Sequence, residues 1–216
     1  MKITFGKIKE LLEDPFFEVR YLGKDAIRQC ILPVDKCSET SVPVNLRFIG
    51  WEETDCDETI QYSFADTLIG RLLIGNTTKG VCFLGFSCGN DDAVVRDMQK
   101  RFPQHRFEMS SSNLQKMAVD YCNGNHDQSI FLHMKGTVFQ LKIWETLVLI
   151  PEGRLSTYGS LSPNTGAAQA IGAAVGANPV SYIVPCHRVV KKDGDFRGYH
   201  WGSDLKKLLL AYELQK

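Results

Sequence analysis

The sequence predicts an α+β protein in which a strand-rich segment gives way to a mostly helical one. Three observations carry the prediction. Short apolar runs broken by Gly, Asn and Thr lie between Ile60 and Phe86, which is strand punctuation. Two stretches with helix start and stop signals follow, ending near Cys122, and strands followed by helices imply one small α+β domain. After Lys135, apolar residues recur at helical spacing.

In chain order, residues 1–58 form an extension of no assignable role. Gly6–Asp14 reads as a short helix with Ile8, Leu11 and Leu12 on one face, and Val42–Ile49 alternates as a strand does. Trp51–Glu58, with five acids in eight residues, reads as an exposed linker or loop. Cys30, Cys37 and Cys56 fall here at spacings that match no metal site. The α+β domain covers 59–134, with strands expected at Ile60–Phe64, Leu68–Ile74 and Val81–Phe86. A helix then starts at Asp91-Asp92, whose carboxylates suit its positive end, and Phe102-Pro103 stops it. Ser110-Ser111-Ser112 caps a second helix, and Asn123-Gly124-Asn125 closes it. This domain offers no catalytic constellation and reads as a scaffold.

The third part, 135–216, is mostly helical. Thr137 can cap a helix carrying Phe139, Ile143, Trp144, Leu147 and Ile150 as a core stripe, and Pro151-Glu152-Gly153 breaks it. Tyr158 to Asn178 holds a turn, Ser162-Pro163-Asn164-Thr165-Gly166, and a second helix, a unit with the size of a helix-turn-helix. A final helix runs from Ser203 to Leu214.

Composition narrows the function classes. With 216 residues, 44% hydrophobic and 23% charged, the chain has the make-up of a soluble protein that folds without staples. No apolar run approaches the ~20 residues of a membrane helix, and Met1-Lys2-Ile3-Thr4 opens on a charged helical pattern instead of a signal peptide. Seven cysteines, an odd number without CxxC pairs, argue against a disulfide framework and for a reducing cytoplasm. Net charge is zero but uneven. Lys135–Lys216 holds ten Lys+Arg against six Asp+Glu, and Met1–Met134 fifteen against nineteen, so the C-terminal part carries +4 and the rest −4. A local basic excess is what contact with phosphate requires.

Chemistry concentrates at Pro185-Cys186-His187-Arg188, set between Ile183-Val184 and Val189-Val190. A cysteine attacks as its thiolate, and an adjacent histidine is the usual means of removing its proton near neutral pH. Pro185 fixes φ just before the sulfur and removes one backbone donor. Read with Asn178-Pro179 upstream, Ile183–Val190 resembles the active-site signature of the O6-alkylguanine-DNA alkyltransferases, the methylated-DNA–protein-cysteine methyltransferases. Gly136–Gln140, Trp144-Glu145, Ile150–Gly153, Tyr158, Ala167–Ala177, Gly198-Tyr199-His200-Trp201-Gly202 and Leu208–Glu213 follow in the family's order. Ile69-Gly70, Lys79–Cys82 and Arg101–Pro103 are similar to its N-terminal domain, so the likeness runs from about Thr59 to the C-terminus. It implies a ribonuclease-H-like N-terminal domain followed by a winged helix-turn-helix catalytic domain.

The resemblance implies direct-reversal DNA repair. A methyl or alkyl group would pass irreversibly from O6 of guanine in double-stranded DNA to Cys186 after base flipping, with O4 of thymine left open as a second substrate. A thioether is a poor leaving group, so a cytoplasmic monomer would act once, with no cofactor and no metal. By motif position, Cys186 is the nucleophile, His187 draws off its proton through a water, Glu213 orients His187, and Asn178 orders the turn before the site. Tyr158 hydrogen-bonds the base, Tyr199 walls the pocket with Lys206 near it, Val189 offers backbone groups to guanine, and Arg188 and His200 complete the substrate side. Eight of the eleven residues from Ala167 to Ala177 are Ala or Gly. Ala167, Ala168, Ala170 and Gly172 would give a helix face small enough for the minor groove.

Two departures stand out. The family's arginine in this helix is Gln169 here, and the stretch from Tyr158 to Ala167 is shorter than usual by nearly a turn. They support the alternative of an alkyl-lesion sensor or regulator with weak transferase activity, against which Cys186 itself argues.

Overall fold

A computed structural model of the chain describes residues 27–28, 30–31, 45–161 and 168–213, without the side chains of Cys56 and Ala168. The helix expected at Gly6–Asp14, Cys37, the first residues of the strand expected at Val42, the turn Ser162–Gly166 with Ala167, and Leu214 lie outside the described residues. The chain divides into two compact units. One takes in Pro43–Lys142 and Asn178–Val184; the other takes in Ile143–Ala177 and Pro185–Lys216 with the described part of Met1–Val42.

The first unit is built on six strands: β1 (Leu46–Gly50), β2 (Thr59–Thr67), β3 (Gly70–Asn76), β4 (Val81–Phe86), β5 (Arg106–Met109) and β6 (Ile130–Met134), in the order β1-β6-β4-β3-β2-β5. β2, β3 and β4 form an antiparallel meander, with Phe64 opposite Leu73 and Leu73 opposite Gly85. The remaining pairings, β2 with β5, β4 with β6 and β1 with β6, are parallel. Parallel neighbours need long crossovers, and helices supply them: α1 (Asp91–Arg101) between β4 and β5, and α2 (Asn113–Cys122) between β5 and β6. The Asn90 side chain caps α1 by accepting from the Ala93 amide, and Val94 and Met98 are its buried residues. Ser112 and Gln115 form a capping box on α2. Gln115 and Ser112 also donate to Asn76 Oδ1, each at 2.8 Å, and Ser63 donates to Gln115 at 2.6 Å. α2 is thus tied to β2 and β3 by polar groups that satisfy one another.

Three features of this unit differ from the sequence reading. β5 and β6 carry no strand signal. β5 is a four-residue strand at the sheet's edge with mostly exposed side chains, and β6 is an apolar run with only Phe131 exposed, so neither alternates. The acidic stretch Trp51–Glu58 is not an exposed loop throughout. Glu53–Asp57 winds into a 3-10 turn, and Asp55 is buried with Lys79 Nζ at 2.6 Å and His133 Nε2 at 3.1 Å. Burial opposes the Asp55 charge, but Lys79, the Glu52 amide and His133 outweigh it and hold the carboxyl below its ordinary range. A count of acids along the chain cannot reveal such distant partners.

At the end of the first unit, Thr137 and Gln140 cap the start of α3 (Val138–Leu147), a helix that continues into the second unit from Ile143. Ile143, Trp144, Leu147 and Ile150 are buried as the stripe predicts, but Phe139 is 40% exposed. Helical spacing shows which residues share a face; it does not show how far along that face the covering core extends. Trp144 Nε1 donates to the Ala174 carbonyl at 2.8 Å, which locks α3 to α4 (Ala168–Gly176). A two-stranded parallel ribbon, β7 (Ser156–Thr157) and β8 (Val189–Val190), and α5 (Ser203–Glu213) complete the unit. Tyr158–Ser160 forms a 3-10 turn ahead of α4. Part of the N-terminal extension is knitted in as well: Ile31 pairs with Leu155, the Leu155 amide donates to Cys30 at 3.0 Å, and Ile27 is fully buried.

Candidate active site

Cys186–Arg188 winds into a single 3-10 turn that runs directly into β8. The Arg188 amide closes it onto the Pro185 carbonyl at 3.0 Å, and the Val189 amide returns to the Cys186 carbonyl. Cys186 is buried, 7% exposed as a residue. His187 is fully buried, and its Nε2 lies 2.8 Å from Oε1 of Glu213, the last residue of α5.

A carboxylate at a helix C-terminus meets the negative end of the dipole, and burial raises the penalty. Arg188 compensates. Its Nε and Nη2 each donate to one Glu213 oxygen at 2.9 Å, and Nη1 donates to the Ile150 carbonyl at 2.7 Å. Burial opposes the Glu213 charge, but Arg188 and His187 overcome it and hold this carboxyl well below the usual range. Burial pushes His187 down, against the pull of Glu213, with Arg188 and Lys206 pushing the same way as burial. The imidazole is therefore neutral at neutral pH. An ionised carboxylate only accepts, so the ring proton sits on Nε2 and the basic lone pair on Nδ1.

Lys206 enters from the first turn of α5. It is buried, and its Nζ donates to the Val189 carbonyl at 2.6 Å and lies 5.9 Å from the centre of the Tyr199 ring. Burial pushes its ammonium down to about 8, while the charges of Cys186 and Asp195 pull the other way. Burial likewise raises the Tyr158 phenol, followed by the charges of Cys186 and Asp195. The sulfur's charge thus reaches both Tyr158 and Lys206.

Cys186, His187, Glu213, Arg188, Val189, Lys206, Tyr199 and Tyr158 are therefore gathered within one unit. Arg188 is engaged by Glu213 and Ile150, and the Val189 backbone is engaged at both its N–H and its C=O. Asn178 lies in the other unit, where it donates to Val184 O at 2.8 Å and accepts from the Val180 amide at 3.1 Å, closing the turn that ends just before Pro185. On α4, Gln169 and Ala170 are exposed, and a Cβ added at Gly172 would meet open space. His200 is exposed and stands edge-on to Trp201 at 4.6 Å. The sequence reading missed Asp195, a buried acid paired with Lys191 and Arg197 in a loop of mixed charges.

Comparison with known proteins identifies the family. A family profile described as the 6-O-methylguanine DNA methyltransferase DNA-binding domain matches residues 138–215. The inducible methylated-DNA–protein-cysteine methyltransferase of Bacillus subtilis is 35% identical over 147 residues, 65% of this chain and 82% of that protein. The regulatory protein Ada of Salmonella typhimurium is 32% identical over 165 residues, covering 73% of this chain, which spans about half (46%) of that relative's length. Among solved structures, the O6-methylguanine methyltransferase of Mycobacterium tuberculosis superposes with a TM-score of 0.57 at 29% identity, covering 72% of this chain and 93% of that one. The same organism's OGT in complex with DNA gives a TM-score of 0.55 at 28% identity, covering 71% and 92%. The chain belongs to the methylated-DNA–protein-cysteine methyltransferase family.

Proposed function

We propose that this protein repairs DNA directly, moving a methyl or larger alkyl group from O6 of guanine to Sγ of Cys186. The observation that carries the reading is the buried His187, its Nε2 2.8 Å from the Glu213 carboxylate, immediately beside a shielded cysteine. His187 Nδ1 takes the thiol proton through a water. Glu213 offsets the charge of the resulting imidazolium, and Lys206 supports the thiolate. The sulfur attacks the alkyl carbon, an S–C bond forms as the C–O bond breaks, and the electron pair leaves on the guanine oxygen. Tyr158 donates a hydrogen bond to the departing base. The thioether does not leave again, so each molecule acts once.

The alkylated oxygen of a paired guanine lies in the major groove, so the base must leave the stack before a thiol can reach it. The exposed small residues of α4 suit close approach to the minor groove, with Gln169 at the position that fills the gap. O4 of alkylated thymine, a chemically similar oxygen, is a second substrate on the same route. The protein works as a cytoplasmic monomer whose sheet unit has a ribonuclease-H-like plan and whose helical unit is a winged helix-turn-helix. Within the described residues no helix is long and apolar enough to cross a membrane.

Incubation with a duplex carrying one O6-methylguanine, followed by intact and peptide mass measurement, tests the proposal. One added methyl on the Cys186 peptide is expected. A methyl on Cys82 or Cys122, both buried thiols pushed up by desolvation, or transfer that survives in Cys186→Ala, overturns it. Binding of the lesion with no mass change in the wild type would favour the lesion-sensor reading, for which Gln169 is the supporting residue.

A further inference from the structure

The extension ahead of Thr59 has no part in the chemistry described so far, yet it reaches the strand on which the site is built. Two turn bonds compact it, the Cys30 amide to the Ile27 carbonyl at 3.1 Å and the Ile31 amide to the Arg28 carbonyl at 3.2 Å. Ile27 is fully buried while Arg28 is exposed, so an aliphatic side chain seats the segment. Ile31 then pairs in parallel with the buried Leu155, whose amide donates to the Cys30 carbonyl at 3.0 Å. The residues after Leu155, Ser156 and Thr157, pair with Val189 and Val190 of β8. β8 begins where the Cys186 turn ends, and the Val189 amide closes that turn on the Cys186 carbonyl. Backbone pairing is thus continuous from Ile31 through Leu155 and Ser156 to Val189. Leu155 also stands between two parts of the site along the chain. Before it, the Ile150 carbonyl accepts from Arg188 at 2.7 Å, and a Cβ added at Gly153 would lie 3.2 Å from the Glu213 carbonyl oxygen. After it, Tyr158 follows β7 directly.

We propose that the segment carrying Ile27, Cys30 and Ile31 is a positioning element for alkyl transfer: it adds a third strand to the β7–β8 ribbon and so fixes Tyr158 and the Cys186 turn relative to each other. The inference rests on the alkyl-transfer reading and gives the N-terminal extension a part in it. β7 and β8 hold two residues each, and a two-stranded ribbon is marginal by itself in water. An added strand supports such a ribbon through main-chain hydrogen bonds, with a side-chain anchor beside it. Ile31 and Cys30 supply the first, and Ile27 the second. No side chain of the segment has to touch the alkyl group. Its effect travels through backbone pairing to the residues that do, and a misplacement of about 1 Å at a reacting group slows a reaction by up to about 100-fold.

The test is a double-substitution cycle in the full chain, read by single-turnover transfer from a saturating duplex carrying one O6-methylguanine. Each rate is corrected for the folded fraction from urea titration. Ile27→Ala removes the anchor and is expected to slow transfer per folded molecule roughly 5- to 50-fold. Ile27→Val keeps a branched side chain and is expected to stay within about twofold of the wild type. In a Tyr158→Phe background the slowing caused by Ile27→Ala is expected to be at least about threefold smaller, because the hydroxyl it would misplace is already gone. A segment that only stabilises the fold would lower the urea midpoint and leave every corrected rate unchanged. That result, or equal slowing with and without the Tyr158 hydroxyl, overturns the proposal. Should Ile27→Ala fail to fold, Ile31→Ala, at a half-buried position, goes through the same cycle and the same two results decide. Wild-type protein in the same assay separates the two levels: if it takes up no methyl on Cys186, the function itself falls, and if it does, only the role of the extension is at stake.

Discussion

Replacing Glu213 by Gln keeps the shape of the relay and removes one charge. The carboxylate lies 2.8 Å from His187 and accepts two bonds from Arg188. Unit charges ~4 Å apart interact by about 4 kcal/mol at an effective dielectric near 20. In the variant an imidazolium would form without that attraction and beside an Arg188 that has lost the Glu213 charge. Allowing for relaxation, a loss of roughly 2–3 kcal/mol in the transition state corresponds to transfer about 30- to 150-fold slower. The pH dependence has a definite sign. Glu213 raises the His187 proton affinity, so without it the acid limb of the rate profile moves to lower pH while the plateau falls.

Stability responds too, since removing one partner of a buried ion pair costs about 3–5 kcal/mol. Glu213 is depressed in the folded state, so its contribution is present above its unfolded pKa and is lost as pH falls toward the folded value; the variant lacks this acid-sensitive portion. Quenched-flow transfer read by intact mass, with rates corrected for the folded fraction from urea titration, measures both effects. An unchanged rate across pH in folded protein would show that His187 does not work through Glu213.

Two further outcomes are expected. Gln169→Arg adds a charge, several donors and a stacking plane where a flipped base leaves a gap, so repair of duplex DNA is expected to speed up while reaction with free O6-methylguanine hardly changes; equal acceleration of both would remove Gln169 from the gap. Gly80→Ala places a Cβ 2.5 Å from the Phe131 carbonyl oxygen and 3.2 Å from the His133 amide, so a loss of roughly 1–3 kcal/mol is expected by urea titration, and an unchanged midpoint would refute the close packing of β6 on the turn before β4.

Legibility in the sequence followed the range of each interaction. β4, α1 and α2 could be read because their signals are local: turn residues, the acids Asp91-Asp92, and the serines ending at Ser112, which caps α2. β5 and β6 could not, because short parallel strands are specified by neighbours far away in the chain. The motif around Cys186 marked the proposed nucleophile, and motif order alone singled out Glu213, a residue that would otherwise pass for surface but is buried. Asp195 escaped because nothing in a loop of mixed charges tells which acid turns inward. Phe139 was misread for the converse reason: its spacing fits the stripe, and only the extent of the surrounding core decides that it stays exposed.

The two units share the chain in alternating pieces. After α4 the backbone returns to the sheet unit for Asn178–Val184, where Pro179 and Ser181 bond to Leu84, and then leaves it again at Pro185. No single peptide bond can therefore be cut to yield both units whole. A fragment beginning near Lys135 would carry Asn178–Val184 without the strand that holds it, one residue ahead of Pro185 and two ahead of the sulfur. Limited proteolysis, domain exchange with a relative and tag insertion all meet the same constraint: the helical half of this protein is not a transplantable cassette unless the Leu84 strand travels with it.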